Sequence, residues 1–599
     1  MNDESKKRGA GKVFWRILFF LLLILYLAVL ELGKNTLLGW GLAVIAAVSF
    51  YILRASKLAS SGLGLRFLSW IGLFAVCALI LLVSKPPVKA VPAAEGKNLE
   101  KSQIITVAQG DVQGVVTKDG KVEVYTGIPY AKAPVGDLRW KEPQAPDPWD
   151  GVLTADHFKP MSMQTRNSVI YDSLAQIIGY HDYKISLNDN YVTPVSEDSL
   201  YLNVWKPEGK DLKDLPVLVY IHGGSLQTGQ PWYQDYRGET LAKEGIVVVN
   251  FAYRLGIFGF FADPELAKES PNGTTGNYGL LDQIAALKWV RDNISAFGGD
   301  PNNVTVAGES AGSACVSALC TSPLAKGLFR RVILESSTVS APKPAHSFRL
   351  LDSAFKAAEN TKERMGAATI EELRALPAEK IVGELSIHHH MTVDGYVLTE
   401  TPYESYKKGI HNEEAQLQGF NREEAAPFIL FSQGSMKNYE DRIRRSFGDY
   451  ADEVLKLYPS TTDAEAKRNW ADIDTVLLFA YGHFCLGRQA QENDIPCYMY
   501  HFTKENGRLG SWHSGEEVYL YGNIPDDSKL YDEVDRSLSR QFVQYVANYV
   551  KTGNPNGQGL KEWPLSDGGT KVLELGDEVK VTDAPYQDLY EILDKVQNF

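Results

Sequence analysis

The stretch Val306–Ser313, reading Val-Ala-Gly-Glu-Ser-Ala-Gly-Ser, constrains the fold more than any other part of this 599-residue chain. It holds a Gly-x-Ser-x-Gly at Gly308, Ser310 and Gly312. The apolar run Val304–Ala307 leads into it, and the small, helix-compatible residues Ala311–Leu319 lead out. That order predicts a strand, a sharp turn and a helix. Small residues flank the turn because bulkier ones would make its two arms collide. The serine is then held in a strained conformation at the top of a sheet, with its hydroxyl presented to a ligand. A bare Gly-x-Ser-x-Gly is also an ordinary turn, so the strand and helix context carries the reading.

A lone serine is a weak nucleophile at neutral pH and needs a base, an orienting acid and donors for a developing oxyanion. The donors are legible first. Pro216–Ile221 reads as a buried strand running directly into His222-Gly-Gly-Ser225. A glycine-rich turn at that place lets backbone N–H groups approach a ligand closely. Its position N-terminal to the serine matches the oxyanion loop of hydrolases. The predicted oxyanion-hole donors are the N–H groups of Gly224, Ser225 and Ala311.

With these two motifs in place, the chain resembles the type-B carboxylesterases, the family of the cholinesterases and bacterial p-nitrobenzyl esterases. The resemblance runs from about Gln109 to Asn598. It rests on Val124-Tyr-Thr-Gly-Ile-Pro-Tyr-Ala131 with Leu138-Arg-Trp140, Glu197-Asp-Ser-Leu-Tyr-Leu-Asn203, Tyr253-Arg-Leu-Gly256, Gly276-Asn-Tyr-Gly-Leu-Leu-Asp-Gln283, Trp289–Ile294 and Phe297-Gly-Gly-Asp-Pro301, all in order. It implies an α/β-hydrolase fold with a central, mostly parallel sheet, and a serine carboxylesterase. It also implies the remaining catalytic residues. The family's acid lies in a Gly-x-x-x-Asp-Glu pattern, which Gly419-Phe-Asn-Arg-Glu-Glu424 resembles; this makes Glu424 the acid and leaves Glu423 as the alternative. The family's histidine pattern is matched by Trp512-His-Ser-Gly-Glu516, with His513 as the base. Ser310, Glu424 and His513 then follow the chain order of the α/β-hydrolases. His513 would carry the Ser310 proton and Glu424 would hold its tautomer.

The eleven histidines otherwise read as structural or surface groups. His222 belongs to the glycine loop. His388-His-His390 invites a metal reading, but adjacent residues on an extended strand point to opposite faces, and no Cys/His spacing elsewhere suggests a zinc site. No metal or cofactor is therefore expected. Because the run precedes Val393-Asp-Gly395, which resembles a stretch near the family's substrate gorge, one of these histidines is expected in a pocket wall. The five cysteines are too scattered for a disulfide framework. Buried thiols are expected, with a Cys485–Cys497 pair left open. Many relatives carry a disulfide ending just before Leu-Tyr-Leu-Asn. Here Ser199 holds that position and Met163 the expected partner position, so the loop between them is expected to be freer. Asn293 and Asn303 match the glycosylation sequon, Asn303 by chance at the opening of the serine strand.

The N-terminus has another composition. Apolar runs at about Ile17–Leu32, Leu37–Leu53 and Phe67–Val83 are each near the length of roughly 17–25 residues that spans a bilayer. The first is short unless Val13–Trp15 extend it, with Arg16 reaching to the interface. A cleaved signal peptide is its alternative, although no small-x-small site follows. Five basic residues precede the first run, and Arg54, Lys57 and Arg66 lie unopposed between the second and third. By the excess of cytoplasmic Lys and Arg, three spans leave the remainder outside the cytoplasm, though Lys85 and Lys89 run against the bias. The expected organisation is a transmembrane anchor at 1–85, a Pro-rich linker at 86–102 and one α/β-hydrolase domain at 103–599.

Of 61 basic and 74 acidic side chains, ten basic and three acidic lie in residues 1–85, leaving a net charge of −20 for the remainder. That argues against a nucleic-acid surface and suits a solvated ectodomain. The expected partners are a small-molecule ester and, through the N-terminal spans, the lipid bilayer. The sequence specifies neither oligomeric state, acyl length nor alcohol. Two other classes compete: a non-catalytic, esterase-like binding ectodomain, which would lack triad members, and an amidase or thioesterase using the same residues.

Overall fold

The structure, a computed structural model, describes the chain apart from residues 1, 34, 57, 59–60, 86–90, 95–98, 166–193, 385, 430–434, 508 and 527. It divides into the N-terminal helices and a second unit formed by Val91–Thr165 with Val195–Phe599.

In the first unit, helices Asn2–Leu32, Leu37–Ala55 and Leu63–Val83 run up, down and up. Their apolar stretches, Val13–Leu32, Leu37–Ala55 and Leu63–Val83, are each long enough to cross a membrane. The structured first stretch is thus longer than Ile17–Leu32, because Val13–Trp15 continue the helix. The three helices meet through Phe19, Phe50 and Trp70, with Phe50 and Trp70 ring centroids 4.9 Å apart. At one end the Arg54 guanidinium lies 5.8 Å from the Trp15 ring and 5.6 Å from the Trp70 ring. At the other end Asn35 Nδ2 donates to the Leu81 carbonyl (2.8 Å) and to Ser84 Oγ (2.7 Å). Between these ends Leu21, Ile45, Leu68 and Leu82 point outward. Such an apolar exterior is costly in water and neutral in hydrocarbon.

The second unit is built on one 13-stranded sheet. Its strands are β1 (Lys101–Val107), β2 (Gly110–Val116), β3 (Val122–Pro129), β4 (Val152–Thr154), β7 (Tyr201–Pro207), β8 (Leu215–Ile221), β9 (Val247–Phe251), β10 (Gly299–Glu309), β11 (Arg331–Glu335), β12 (Ala415–Asn421), β13 (Cys497–Phe502), β14 (Lys571–Leu575) and β15 (Val579–Asp583); β5 (Met161–Ser162) and β6 (Val195–Ser196) pair separately. The order is β1-β2-β3-β7-β9-β8-β10-β11-β12-β13-β14-β15, with β4 beside β2. Every neighbouring pair from β9 to β14 is parallel, and the flanking pairs along that path are antiparallel. This is the central, mostly parallel sheet predicted above. β1 begins inside the expected linker: Ser102, Ile105 and Val107 turn inward, and Lys101 already pairs with Val115 of β2.

The parallel strands are apolar almost throughout because both faces are covered. On β8, Val217, Val219 and Ile221 enter one core and Leu218 and Tyr220 the other. Helices Tyr278–Asn293 and Ala311–Leu319 pack on the first face. Helix Glu533–Thr552 packs on the second through Phe542, Tyr545, Val546 and Tyr549. A third cluster joins the helices between Met436 and Glu492 to the C-terminal helix Gln587–Gln597. The ends of β8, β10, β12 and β13 open on one edge of the sheet, where ligands bind in open α/β sheets.

Candidate active site

At the end of β10 the chain reverses at Ser310, whose φ of 53° and ψ of −125° are unfavourable for a residue with a side chain. Helix Ala311–Leu319 starts at the next residue. The two motif glycines make this turn possible. A Cβ on Gly312 would lie 2.0 Å from the Ile221 carbonyl oxygen, and one on Gly308 would lie 2.6 Å from the Gly312 carbonyl carbon. The turn therefore seats directly on the end of β8. Ser310 N–H donates to the Glu335 carbonyl (2.8 Å), which ties the turn to β11.

Two distant segments converge on this serine. His513 Nε2 lies 2.8 Å from Ser310 Oγ, and His513 Nδ1 lies 2.6 Å from Glu424 Oε2. Glu424 Oε1 accepts the N–H of Asn421 (2.8 Å). All three side chains are buried, Glu424 completely. Glu423 points elsewhere. Its carboxylate pairs with Arg422 (2.7 Å) and accepts the N–H of Ser511 (2.9 Å). A bridge between Glu423 and Trp512 sets this alternation: it holds the two segments side by side and turns the next residue, Glu424, inward.

The glycine loop packs against the same turn. A Cβ on Gly223 would come within 3.0 Å of Ser310 Cβ. Gly224, Ser225 and Leu226 have φ of 105°, 56° and 61°, so the loop is wound in the left-handed region. At Gly224 a side chain is excluded outright, since its Cβ would lie 2.3 Å from the Thr228 carbonyl oxygen. Among the described residues the N–H groups of Gly224 and Ser225 donate to no carbonyl. Ala311, first in its helix, has an N–H with no intrahelical acceptor. His222 is structural here. Its ring stacks on Tyr253 at 4.6 Å, Nδ1 lies 2.9 Å from the Gly223 carbonyl, and burial pushes its pKa down to about 4.

Several residues at the site escape a motif reading. Glu309 Oε1 lies 3.3 Å from His513 Nε2 and accepts the Ser514 hydroxyl (2.6 Å). Burial, then the charges of Glu516 and Glu424, hold its carboxyl well above the usual range, which favours the neutral acid. Glu516, bonded to Ser336 and Asn421, is pushed up to about 7, first by burial and then by Glu424. Both glutamates lie inside motifs legible in the sequence, but only their neighbours signalled a role. Phe428 and Phe479 bracket the His513 ring at 5.3 and 4.6 Å. Phe479 comes from a π-helical turn, Val476–Ala480, inserted between helices Asp463–Thr475 and Tyr481–Glu492. Such single-turn insertions re-aim side chains and free carbonyls. Here the Leu478 carbonyl accepts from His346 Nε2 (2.9 Å).

Of the three consecutive histidines, His388 lines a cavity of about 250 Å³ with Gln227, Gly256 and Phe258, as a pocket wall requires. His389 is buried against Phe261 and Thr361. Among the described residues no group of three His, Cys, Asp or Glu side chains is arranged to hold a metal ion. Cys485 and Cys497 are buried and do not pair. Ser199 hydrogen-bonds Ser162 (3.0 Å). Most of the loop expected to be freer, 166–193, lies outside the described residues. The sequon side chains are already engaged: Asn293 accepts from Ala108 N–H (2.9 Å) and Asn303 from Arg331 (2.5 Å).

Comparison with known proteins agrees with this architecture. The pattern of the carboxylesterase family matches residues 101–592. A fumonisin B1 esterase from Sphingopyxis macrogoltabida is 32% identical over 491 residues, covering 78% of this chain and 86% of that protein. A para-nitrobenzyl esterase from Bacillus subtilis is 32% identical over 512 residues, covering 81% of this chain and 96% of that protein. The crystal structure of the Geobacillus stearothermophilus carboxylesterase EST55 superposes with a TM-score of 0.68 at 30% identity, over 82% of this chain and 99% of that one.

Proposed function

The chain belongs to the carboxylesterase family and is a carboxylic ester hydrolase; from that premise we propose that it cleaves esters through an acyl-enzyme on Ser310, outside the cytoplasm, anchored by its N-terminal helices. The observation that carries the mechanism is the buried relay from Ser310 Oγ through His513 to Glu424, with links of 2.8 and 2.6 Å. His513 Nε2 takes the Ser310 proton as Oγ attacks the ester carbonyl carbon. The oxygen that becomes negative accepts from the N–H groups of Gly224, Ser225 and Ala311. Preorganised donors of this kind are worth about 10²–10³ in turnover each. As the tetrahedral intermediate collapses, the ester C–O bond breaks and the alcohol leaves with the proton from Nε2. A water molecule then repeats both steps on the acyl-serine and releases the carboxylic acid.

The surroundings of His513 support this reading. Glu424 offers an ionisable oxygen to Nδ1, which keeps the proton there and leaves Nε2 free to accept. Glu309 sits close to Nε2 but favours its neutral form, so it does not compete with Glu424 for the imidazolium. Phe428 and Phe479 pack against the ring and help hold it in place.

The decisive experiment uses the full-length protein in detergent. Ser310→Ala should lose about 10⁴–10⁶-fold in ester hydrolysis, leaving what oxyanion donors and binding alone supply. A fluorophosphonate should label the parent protein at Ser310. Near-parental activity in the alanine variant, or labelling at another residue, would overturn the mechanism.

A further inference from the structure

The glycine loop beside Ser310 is braced by a side chain from far up the chain. Gln164 lies two residues beyond β5 and 65 positions before Gly229, and its side chain is buried. Its amide pairs with the Gly229 backbone in both directions. Nε2 donates to the Gly229 carbonyl (2.8 Å), and Oε1 accepts the Gly229 N–H (3.0 Å). Nε2 also donates to the Ser162 carbonyl (3.1 Å), so both of its hydrogens are used. Among the described residues Gly229 has no hydrogen-bond partner besides Gln164.

Gly229 connects this amide to the reacting centre. With φ of 111°, it lies against the residues that open the loop: a Cβ there would stand 2.4 Å from His222 Nδ1 and 2.5 Å from the Gly223 carbonyl oxygen. Gly223 in turn abuts Ser310, since its own Cβ would come within 3.0 Å of Ser310 Cβ. Between Gly223 and Gly229 the chain turns tightly, because the Gly224 carbonyl accepts the N–H groups of Gln227 and Thr228, both at 2.9 Å. The loop therefore touches Ser310 through Gly223 and Gln164 through Gly229. The same short segment also steadies its entry. Ser162 Oγ donates to the Tyr253 carbonyl (2.7 Å), and the Tyr253 hydroxyl donates to the His222 carbonyl (2.9 Å). Such bracing matters here. Gly224, Ser225 and Leu226 all have positive φ, and backbone strained in this way persists only where its surroundings over-determine it. Oxyanion donors act by being fixed before the charge develops, so whatever fixes the loop controls the rate.

We propose that Gln164 is a positioning residue for the oxyanion hole: its two-way pair with Gly229 fixes the loop so that the N–H groups of Gly224 and Ser225 meet the developing oxyanion. This rests on the acyl-enzyme reading of Ser310. Gln164 transfers no proton and acts through Gly229.

The test combines hydrolysis of p-nitrophenyl butyrate with inhibition by an alkyl trifluoromethyl ketone, on full-length protein in detergent. With the ketone, Ser310 Oγ adds to the carbonyl carbon, the carbonyl oxygen becomes the oxyanion, and the Ser310 proton moves to His513 Nε2. Gln164→Met keeps the chain length and loses the pair in both directions. It should lower kcat about 10²-fold, the order of one misplaced oxyanion donor, with KM within about threefold of the parent. Affinity for the ketone should fall in step with kcat/KM, which a general loosening of the fold would not produce. Gln164→Glu keeps the shape but sets an acceptor against the Gly229 and Ser162 carbonyls, and it should do the same. Circular dichroism verifies folding, and either variant tests the pair without the other. Near-parental kcat in the folded variants, or a fall in kcat without a matching loss of ketone affinity, overturns the positioning role. Fluorophosphonate labelling of the parent separates the two readings: labelling at Ser310 with unimpaired Gln164 variants refutes only the bracing, whereas absence of that labelling refutes the nucleophile assignment beneath it.

Discussion

Replacing Glu424 by glutamine isolates the step at which the acid controls the base. Glu424 uses both oxygens: Oε2 faces His513 Nδ1 at 2.6 Å, and Oε1 accepts the Asn421 N–H at 2.8 Å. Glutamine has one acceptor oxygen and one NH₂ group. With its oxygen on Asn421, its NH₂ faces Nδ1, which must then accept a hydrogen bond. The ring proton moves to Nε2, 2.8 Å from Ser310 Oγ, and that nitrogen can no longer take the serine proton. The opposite orientation restores the tautomer but sets the NH₂ against the Asn421 N–H. Leaving buried donors unsatisfied costs about 1–3 kcal/mol, so roughly 1–15% of molecules remain competent. These molecules also lack the negative charge that stabilises the imidazolium, bringing the expected loss of kcat to about 10³–10⁴-fold with little change in KM. Glu423→Gln should stay within about threefold of the parent, because Glu423 serves a partly exposed pair with Arg422. Steady-state kinetics on a p-nitrophenyl ester, with circular dichroism to verify folding, decides the matter. A Glu424→Gln variant within tenfold of the parent, or a larger loss from Glu423→Gln, would refute the reasoning.

Gly312→Ala should cost at least about 3 kcal/mol, since its Cβ would meet backbone at 2.0 Å and no side chain can swing away; thermal unfolding measures it, and an unchanged Tm would contradict the close seating of the turn on β8. Glu516→Gln should change the pH dependence of stability. A carboxyl raised to about 7 in the folded state is protonated in both states below pH 4.5, and the fold loses stability relative to the unfolded chain as pH rises from there through 7. The variant lacks this loss, so its stability relative to the parent should climb by up to about 3 kcal/mol between pH 4.5 and 7.5; a flat difference in denaturant titrations would refute the buried charge cost. On intact cells, a membrane-impermeant fluorophosphonate should label Ser310 before lysis, and labelling only after lysis would reverse the proposed sidedness.

Much of this protein was legible in its sequence because some residues constrain the backbone locally. Gly308, Gly312 and Gly224 stand where a Cβ would strike a neighbouring chain, so the turn at Ser310 and the loop beneath it announce themselves as glycine spacing. The parallel strands read as unbroken apolar runs because both their faces are covered, and the three N-terminal helices read as membrane-length runs because their outward faces are apolar too. Family resemblance supplied Glu424 and His513, but the pair Glu423–Glu424 stayed ambiguous. Only the bridge to Trp512, nearly 90 residues on, turns one carboxylate inward and the other toward Arg422. The same holds for Glu309 and Glu516, whose raised pKa values come from burial beside other carboxylates, and for Phe479, aimed by a π-helical turn with no sequence signature. Local sterics are written into residue types at short spacing. Side-chain direction, desolvation and charge proximity arise from segments brought together across the fold, and those the tertiary structure alone decides.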